Sequence, residues 1–120
     1  MRREELYLRD IVEAADAIGE FVAGLERDAF PGNDLLRSAV LQKLTIIGEA
    51  AARLPPLFRE HHDDIPWADI TAFRNIAVHA YFAVDWSIVW VTATQDAPEL
   101  REKVAAILEA EYEDPHLPDA

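Results

Sequence analysis

Apolar positions recur at intervals of three and four along most of the chain. Ile11, Ala15, Ile18, Val22 and Leu25 make one such stripe, with Glu13, Asp16, Glu20 and Glu26 between them. That pattern predicts a first helix from Glu4 to about Arg27. The turn chemistry of Phe30-Pro31-Gly32-Asn33 ends it. Asn33 or Asp34 can cap a second helix running to about Leu54, with Leu36, Val40, Leu44, Ile47 and Ala51 inward and Leu41 and Ala50 widening the stripe. Gly48 lies inside this helix, where glycine costs about 1 kcal/mol against alanine. Close approach of another backbone would account for it, and so would a simply tolerated flaw. Glu49 reads as solvated or paired with Arg53 four positions on.

Pro55-Pro56 stops the second helix, and a short helical turn over Leu57 to His61 follows. Pro66 suits the first turn of a helix from Trp67 to about Tyr81, with Ile70, Phe73, Ala77 and Ala80 on its buried face. Phe82-Ala83-Val84 breaks the period. Asp85 then caps a helix starting at Trp86, whose Ile88, Val89, Trp90 and Val91 predict burial on more than one side. Asp96, Pro98 and Glu99 mark a further helix from Ala97 to about Tyr112, either separate or continuing after a kink. The predicted fold is all-α: an up-down bundle of four long helices plus short ones. It forms a single domain over residues 1–112, and 113–120 have the composition of an acidic, frayed tail.

Composition narrows the function classes. The 120 residues suit one core, 51% of them are hydrophobic, and none is cysteine, which removes disulfides and thiolate metal sites. No apolar region follows the charged Met1-Arg2-Arg3, and no run reaches the roughly 18–20 apolar residues of a membrane span, so a cytoplasmic protein is expected. A net charge of −12 opposes passive binding of nucleic acid, so no DNA partner is expected. Only cations gathered at one place could act on RNA. His61-His62-Asp63-Asp64 has the composition of a metal site, but adjacent helical residues point about 100° apart. A hydrated loop is the expectation there, with no metal and no cofactor.

The candidate chemistry lies in Arg74-Asn75-Ile76-Ala77-Val78-His79-Ala80-Tyr81. Arg74 is the only Lys or Arg between Arg59 and Arg101. On a straight helix Arg74 and Tyr81 project about 20° apart, Asn75 and His79 about 40°, but Arg74 and His79 about 140°. Three arrangements would bring them together: the helix ends near His79, the long arginine curls round, or a second copy of the chain completes the site across a two-fold axis, the last two in combination being favoured. A neutral His79 can take a proton from a ribose 2′-hydroxyl, and a protonated one can give a proton to the leaving 5′-oxygen. Arg74 can hold the phosphate as charge builds on it. Asn75 can orient the imidazole or bind phosphate, and Tyr81 can donate to phosphate or serve as a modification site. From spacing alone the stretch reads as an ordinary helix with a partner-bonded arginine and a half-buried histidine.

Four marks in order resemble the HepT-like branch of the HEPN superfamily. They are Ile46-Ile47-Gly48-Glu49-Ala50-Ala51, Ile65-Pro66-Trp67, Arg74-Asn75 with His79 and Tyr81, and Val84-Asp85 leading to Ile88-Val89-Trp90. The likeness runs from the first helix to about Leu108. It implies a dimerising helical bundle with metal-independent endoribonuclease activity, catalytic Arg74 and His79, and supporting Asn75 and Tyr81. It also implies a toxin of a type VII HEPN–MNT pair, whose nucleotidyltransferase antitoxin transfers AMP to Tyr81. Phe73, Ala80 and Ala83 depart from the commonest family wording without removing a catalytic group. Two other readings fit the same residues. One is a non-catalytic module that binds nucleotide or partner and carries Tyr81 as a transferase substrate. The other is a structural helical dimer.

Overall fold

The computed structural model describes residues 3–76 and 85–112, and every regular element among them is helical. The all-α expectation holds. Helix α1 spans Arg3–Val22 and buries Leu8, Ile11, Ala14, Ala15 and Ile18. It stops short of the predicted Arg27 because Gly24 adopts φ +75°, a left-handed conformation that ends a helix readily only at glycine. The Leu25 N–H then donates to the Val22 carbonyl at 3.0 Å. A short 3-10 turn, Arg27–Ala29, leads to Phe30, which is wholly buried.

Helix α2, Asp34–Arg53, begins where the Asn33 side chain accepts the Leu36 N–H at 3.0 Å. This is the predicted cap. It ends as Leu54 turns extended ahead of Pro55. Helix α3 is short, Pro56–His61. Helix α4 covers Trp67–Thr71 and buries Trp67 and Ile70.

The predicted continuous helix from Trp67 is interrupted at Ala72. Its carbonyl accepts from both Asn75 (2.9 Å) and Ile76 (3.0 Å), so a new helical turn over 73–76 starts from it. Ala77 and Ala80 of the predicted face lie outside the described residues.

From Trp86 to Tyr112 the chain is one unbroken helical rod. It comprises α5 (Trp86–Val91), a wide π-type turn (Thr92–Asp96), α6 (Ala97–Ile107) and a second wide turn (Leu108–Tyr112). Asp85 caps it as predicted, accepting from the Ile88 N–H at 3.4 Å and the Ser87 hydroxyl at 2.7 Å. No new helix starts at Asp96, which is helical itself (φ −73°, ψ −43°) and caps nothing with its side chain. Pro98 has no N–H and would collide with the Thr94 carbonyl in a regular turn. The wider turn, in which the Ala97 N–H reaches back to the Thr92 carbonyl, takes up that conflict and lets the rod continue.

The core lies where α1 packs against α2 and against α6. Leu8, Ile11, Ile18, Val40, Leu44, Ile47 and Val104 are wholly buried there. Each such side chain contributes about 1.5–3 kcal/mol relative to exposure. Two expectations change. In α5 only Val89 is buried, while Ile88 stays 50% exposed, so its apolar surface is not enclosed on several sides within one chain. His62 is not a hydrated loop residue. Its ring centre lies 4.6 Å from that of Phe58 with the planes tilted by 42°, its Nε2 lies 3.0 Å from Glu111, and its carbonyl accepts the Trp67 indole N–H at 2.9 Å. It ties the loop before α4 to the end of the rod.

Candidate active site

Arg74 is positioned by a close backbone approach. A Cβ built on Gly48 would stand 2.7 Å from the Arg74 backbone nitrogen and 2.9 Å from the Thr71 carbonyl oxygen. Both neighbours are backbone atoms and cannot rotate away. The glycine inside α2 is therefore what lets the Thr71–Arg74 segment lie against that helix. Phe73, Ile70 and Trp67, in and just before the segment, are buried in the core. The sequence flagged this glycine, and the structure supplies the backbone it was waiting for.

The next residue of α2 completes the arrangement. Arg74 Nη1 donates to Glu49 Oε1 at 3.2 Å across 25 residues of sequence. Glu49 thus pairs with Arg74, not with Arg53. Among the described residues this is the one ion pair of Arg74, and only its Nη1 is engaged by Glu49. The Arg74 side chain is 39% exposed, and a pair this open contributes at most about 1 kcal/mol. An arriving phosphate can share or displace it. Asn75, one residue on, is exposed. His79 and Tyr81 lie outside the described residues.

Glu49 was missed by sequence reasoning as a partner of the motif. The available signal was its place beside a helical glycine, which marks a close approach without saying what approaches. Two carboxyl groups among the described residues, Asp85 and Asp96, have shifted acidities. The Ser87 hydroxyl, helped by the Ile88 N–H, holds the Asp85 carboxyl below its ordinary value. Burial, reinforced by Glu99 and Asp69, pushes that of Asp96 up. Among the described residues no group of three or more His, Asp or Glu side chains is placed to hold a metal ion. No described helix is long and apolar enough to cross a membrane.

The family model described as Ribonuclease HepT-like matches residues 11–107. The chain belongs to the HepT-like ribonuclease family. The matched stretch contains Gly48, Glu49, Arg74, Asn75, His79 and Tyr81. A candidate RNase from Caldanaerobacter subterraneus subsp. tengcongensis is 36% identical over 111 residues, covering 92% of this chain and 99% of that protein. A candidate RNase from Methanocaldococcus jannaschii is 33% identical over 106 residues, 88% of this chain and 97% of its own. A protein from Thermococcus cleftensis named probable ribonuclease HepT is 37% identical over 102 residues, 85% of this chain and 93% of its own. No solved structure matches the chain. As a HepT-like family member, the chain falls among RNA-cleaving enzymes, and Arg74 is a cation of its matched region with open guanidinium surface.

Proposed function

We propose that the chain is the toxin of a HEPN–MNT toxin–antitoxin pair, an endoribonuclease that cleaves RNA by metal-independent transphosphorylation. The observation that carries the reading is the mounting of Arg74. In a member of a ribonuclease family, the motif arginine is docked on α2 through Gly48, oriented by Glu49 and still 39% exposed. Arg74 and His79 are the catalytic residues. A ribose 2′-oxygen attacks the adjacent phosphorus while the imidazole of one His79 takes its proton. The bond to the 5′-oxygen breaks, and that oxygen receives a proton from an imidazolium. The products are a 2′,3′-cyclic phosphate and a 5′-hydroxyl. Arg74 neutralises the non-bridging oxygens as their charge grows. Asn75 and Tyr81 support the phosphate and the imidazole, and Glu49 is a positioning residue acting through Arg74.

On this reading a second copy of the chain completes the cleft, since one straight helix would aim Arg74 and His79 apart. Tyr81 is the target of AMP transfer by an MNT-type nucleotidyltransferase antitoxin. Each nucleotide adds bulk and negative charge beside Arg74 and competes with RNA phosphate. The test is RNA cleavage by the purified chain in EDTA beside an Arg74→Ala/His79→Ala double variant. Cleavage by the parent alone, ending in cyclic phosphate, is the expected result. Equal cleavage by both would sink the assignment.

A further inference from the structure

A second surface feature adjoins the arginine. Between α1 and α2 lies an open groove of about 310 Å³, lined by Tyr7 and Asp10 from α1 and by Ile46, Glu49, Ala50 and Arg53 among the α2 residues. Positions 46, 49, 50 and 53 fall at spacings of three, four and seven, so they share one face of α2. Tyr7 and Asp10 share a face of α1 in the same way. Ile46 and Tyr7 are half-buried against the core and give the groove an apolar, aromatic wall. Glu49 belongs to this groove and to Arg74 at once, which makes the groove continuous with the candidate active site.

The chemistry of the lining selects its ligand. A phosphate is unsuited to the groove itself, because Asp10 and Glu49 are both carboxylates. A flat, uncharged ring bearing N–H donors suits it well. Aromatic side chains stack on bases of single-stranded RNA, whose exposed edges then take hydrogen bonds. A carboxylate accepts only, so it favours a base edge with adjacent N–H donors. Guanine, with N1–H beside its 2-amino group, fits better than uracil, which places its one N–H between two carbonyls. Arg53 at the groove end and Arg74 beyond Glu49 then stand at the edges, where a backbone phosphate on either side of the base would lie.

We infer that the groove between Tyr7 and Ile46–Arg53 is a nucleobase subsite of the RNA substrate, stacking a base on Tyr7 and preferring guanine through the Asp10 carboxylate. The inference rests on the ribonuclease reading. It adds a specificity-determining site outside the motif, and Tyr7 lies outside the matched stretch 11–107.

The experiment measures equilibrium binding of a fluorescent single-stranded oligoribonucleotide made uncleavable by 2′-O-methyl substitution. It has one guanosine in a uridine background and is compared with its inosine and all-uridine counterparts. The parent should prefer guanosine. Tyr7→Ala should weaken binding about tenfold, and Tyr7→Phe should retain it. Asp10→Asn should reduce the preference of guanosine over inosine without abolishing binding. If the parent binds RNA and Tyr7→Ala binds as well with unchanged base preference, the subsite is overturned while the Arg74 reading stands. If the parent neither binds nor cleaves any RNA, both are overturned. Photocrosslinking of 6-thioguanosine RNA to the unaltered protein decides the matter even if Tyr7→Ala does not fold. Adducts at Tyr7 or within residues 45–53 support the subsite, and adducts confined elsewhere refute it.

Discussion

Helix α2 presents an arginine near each end, and the two are held by different means. Near its start, Arg37 donates to Asp34 at 3.1 Å, three residues away, and its guanidinium lies 4.6 Å over the Trp86 ring. Its side chain is 24% exposed, and its Nε is buried without an acceptor among the described residues. Near its end, α2 receives Arg74 from another segment, paired once with Glu49 at 3.2 Å and 39% exposed. Similar ion-pair distances thus conceal different uses. Arg37 is spent on Trp86 and helps fasten the start of α5 beside Phe30, whose ring lies 6.1 Å from that indole. Arg74 is oriented without being consumed. Arg37 is the less exposed of the two and is anchored to both Asp34 and Trp86, whereas Arg74 is 39% exposed and, among the described residues, is held by one ion pair.

Substitutions can break that contrast, beginning with the largest expected effect. Gly48→Ala sets a methyl against the Arg74 nitrogen and the Thr71 carbonyl. Overpacking costs about 1–3 kcal/mol, and the gain in helix propensity returns about 1. Chemical denaturation should show a net loss of up to about 2 kcal/mol, and RNA cleavage should fall with it because the Arg74 segment is pushed off α2. Arg37→Ala should cost about 1 kcal/mol through the lost cation–π contact and stem packing, with cleavage nearly unchanged. Glu49→Ala should lower kcat severalfold with KM little changed, and Glu49→Gln should restore it, because the amide oxygen still accepts from Arg74. Stability should shift by less than about 0.5 kcal/mol in both, as befits an exposed pair.

The smallest effect separates a surface charge from either arginine. Asp96 is exposed as a residue, but partial desolvation of its carboxyl, together with Glu99 and Asp69, pushes it up. A carboxyl with a raised folded pKa binds its proton more tightly in the folded chain. It therefore detracts from stability above that pKa, and the penalty disappears as pH falls below the unfolded value. Asp96→Asn should raise stability at neutral pH by no more than about 0.5 kcal/mol, since the residue is exposed, and should give no gain in acid. Denaturation curves at neutral and acidic pH check both halves.

Much of the fold was legible because it is local. The Asn33 and Asp85 caps, the Pro55 stop and the apolar stripes of α1 and α2 all follow from residues within a turn of one another. What escaped depended on distant partners or on geometry that sequence does not print. Gly24 ended α1 early by adopting a left-handed φ, although glycine elsewhere in the same chain sits inside helices. Pro98 allowed either a separate helix or a continuing one, and only the wide turn in the structure shows that the rod passes through it. His62 found Glu111 and Phe58, contacts that local polarity cannot foresee. At the site, Arg74 and the need for a close neighbour at Gly48 were both readable. That each answers the other, and that Glu49 joins them, came only with the fold.

The most direct measurement is cleavage of one RNA by Arg74→Ala and by Arg37→Ala, with the unfolding midpoint of each measured on the same preparation. The account predicts that Arg74→Ala loses about a hundredfold or more in kcat with a nearly parental midpoint, as for removal of a donor to developing charge. Arg37→Ala should unfold earlier and cleave at close to the parental rate. Parental cleavage by Arg74→Ala, or loss of cleavage on removing Arg37 alone, would contradict it.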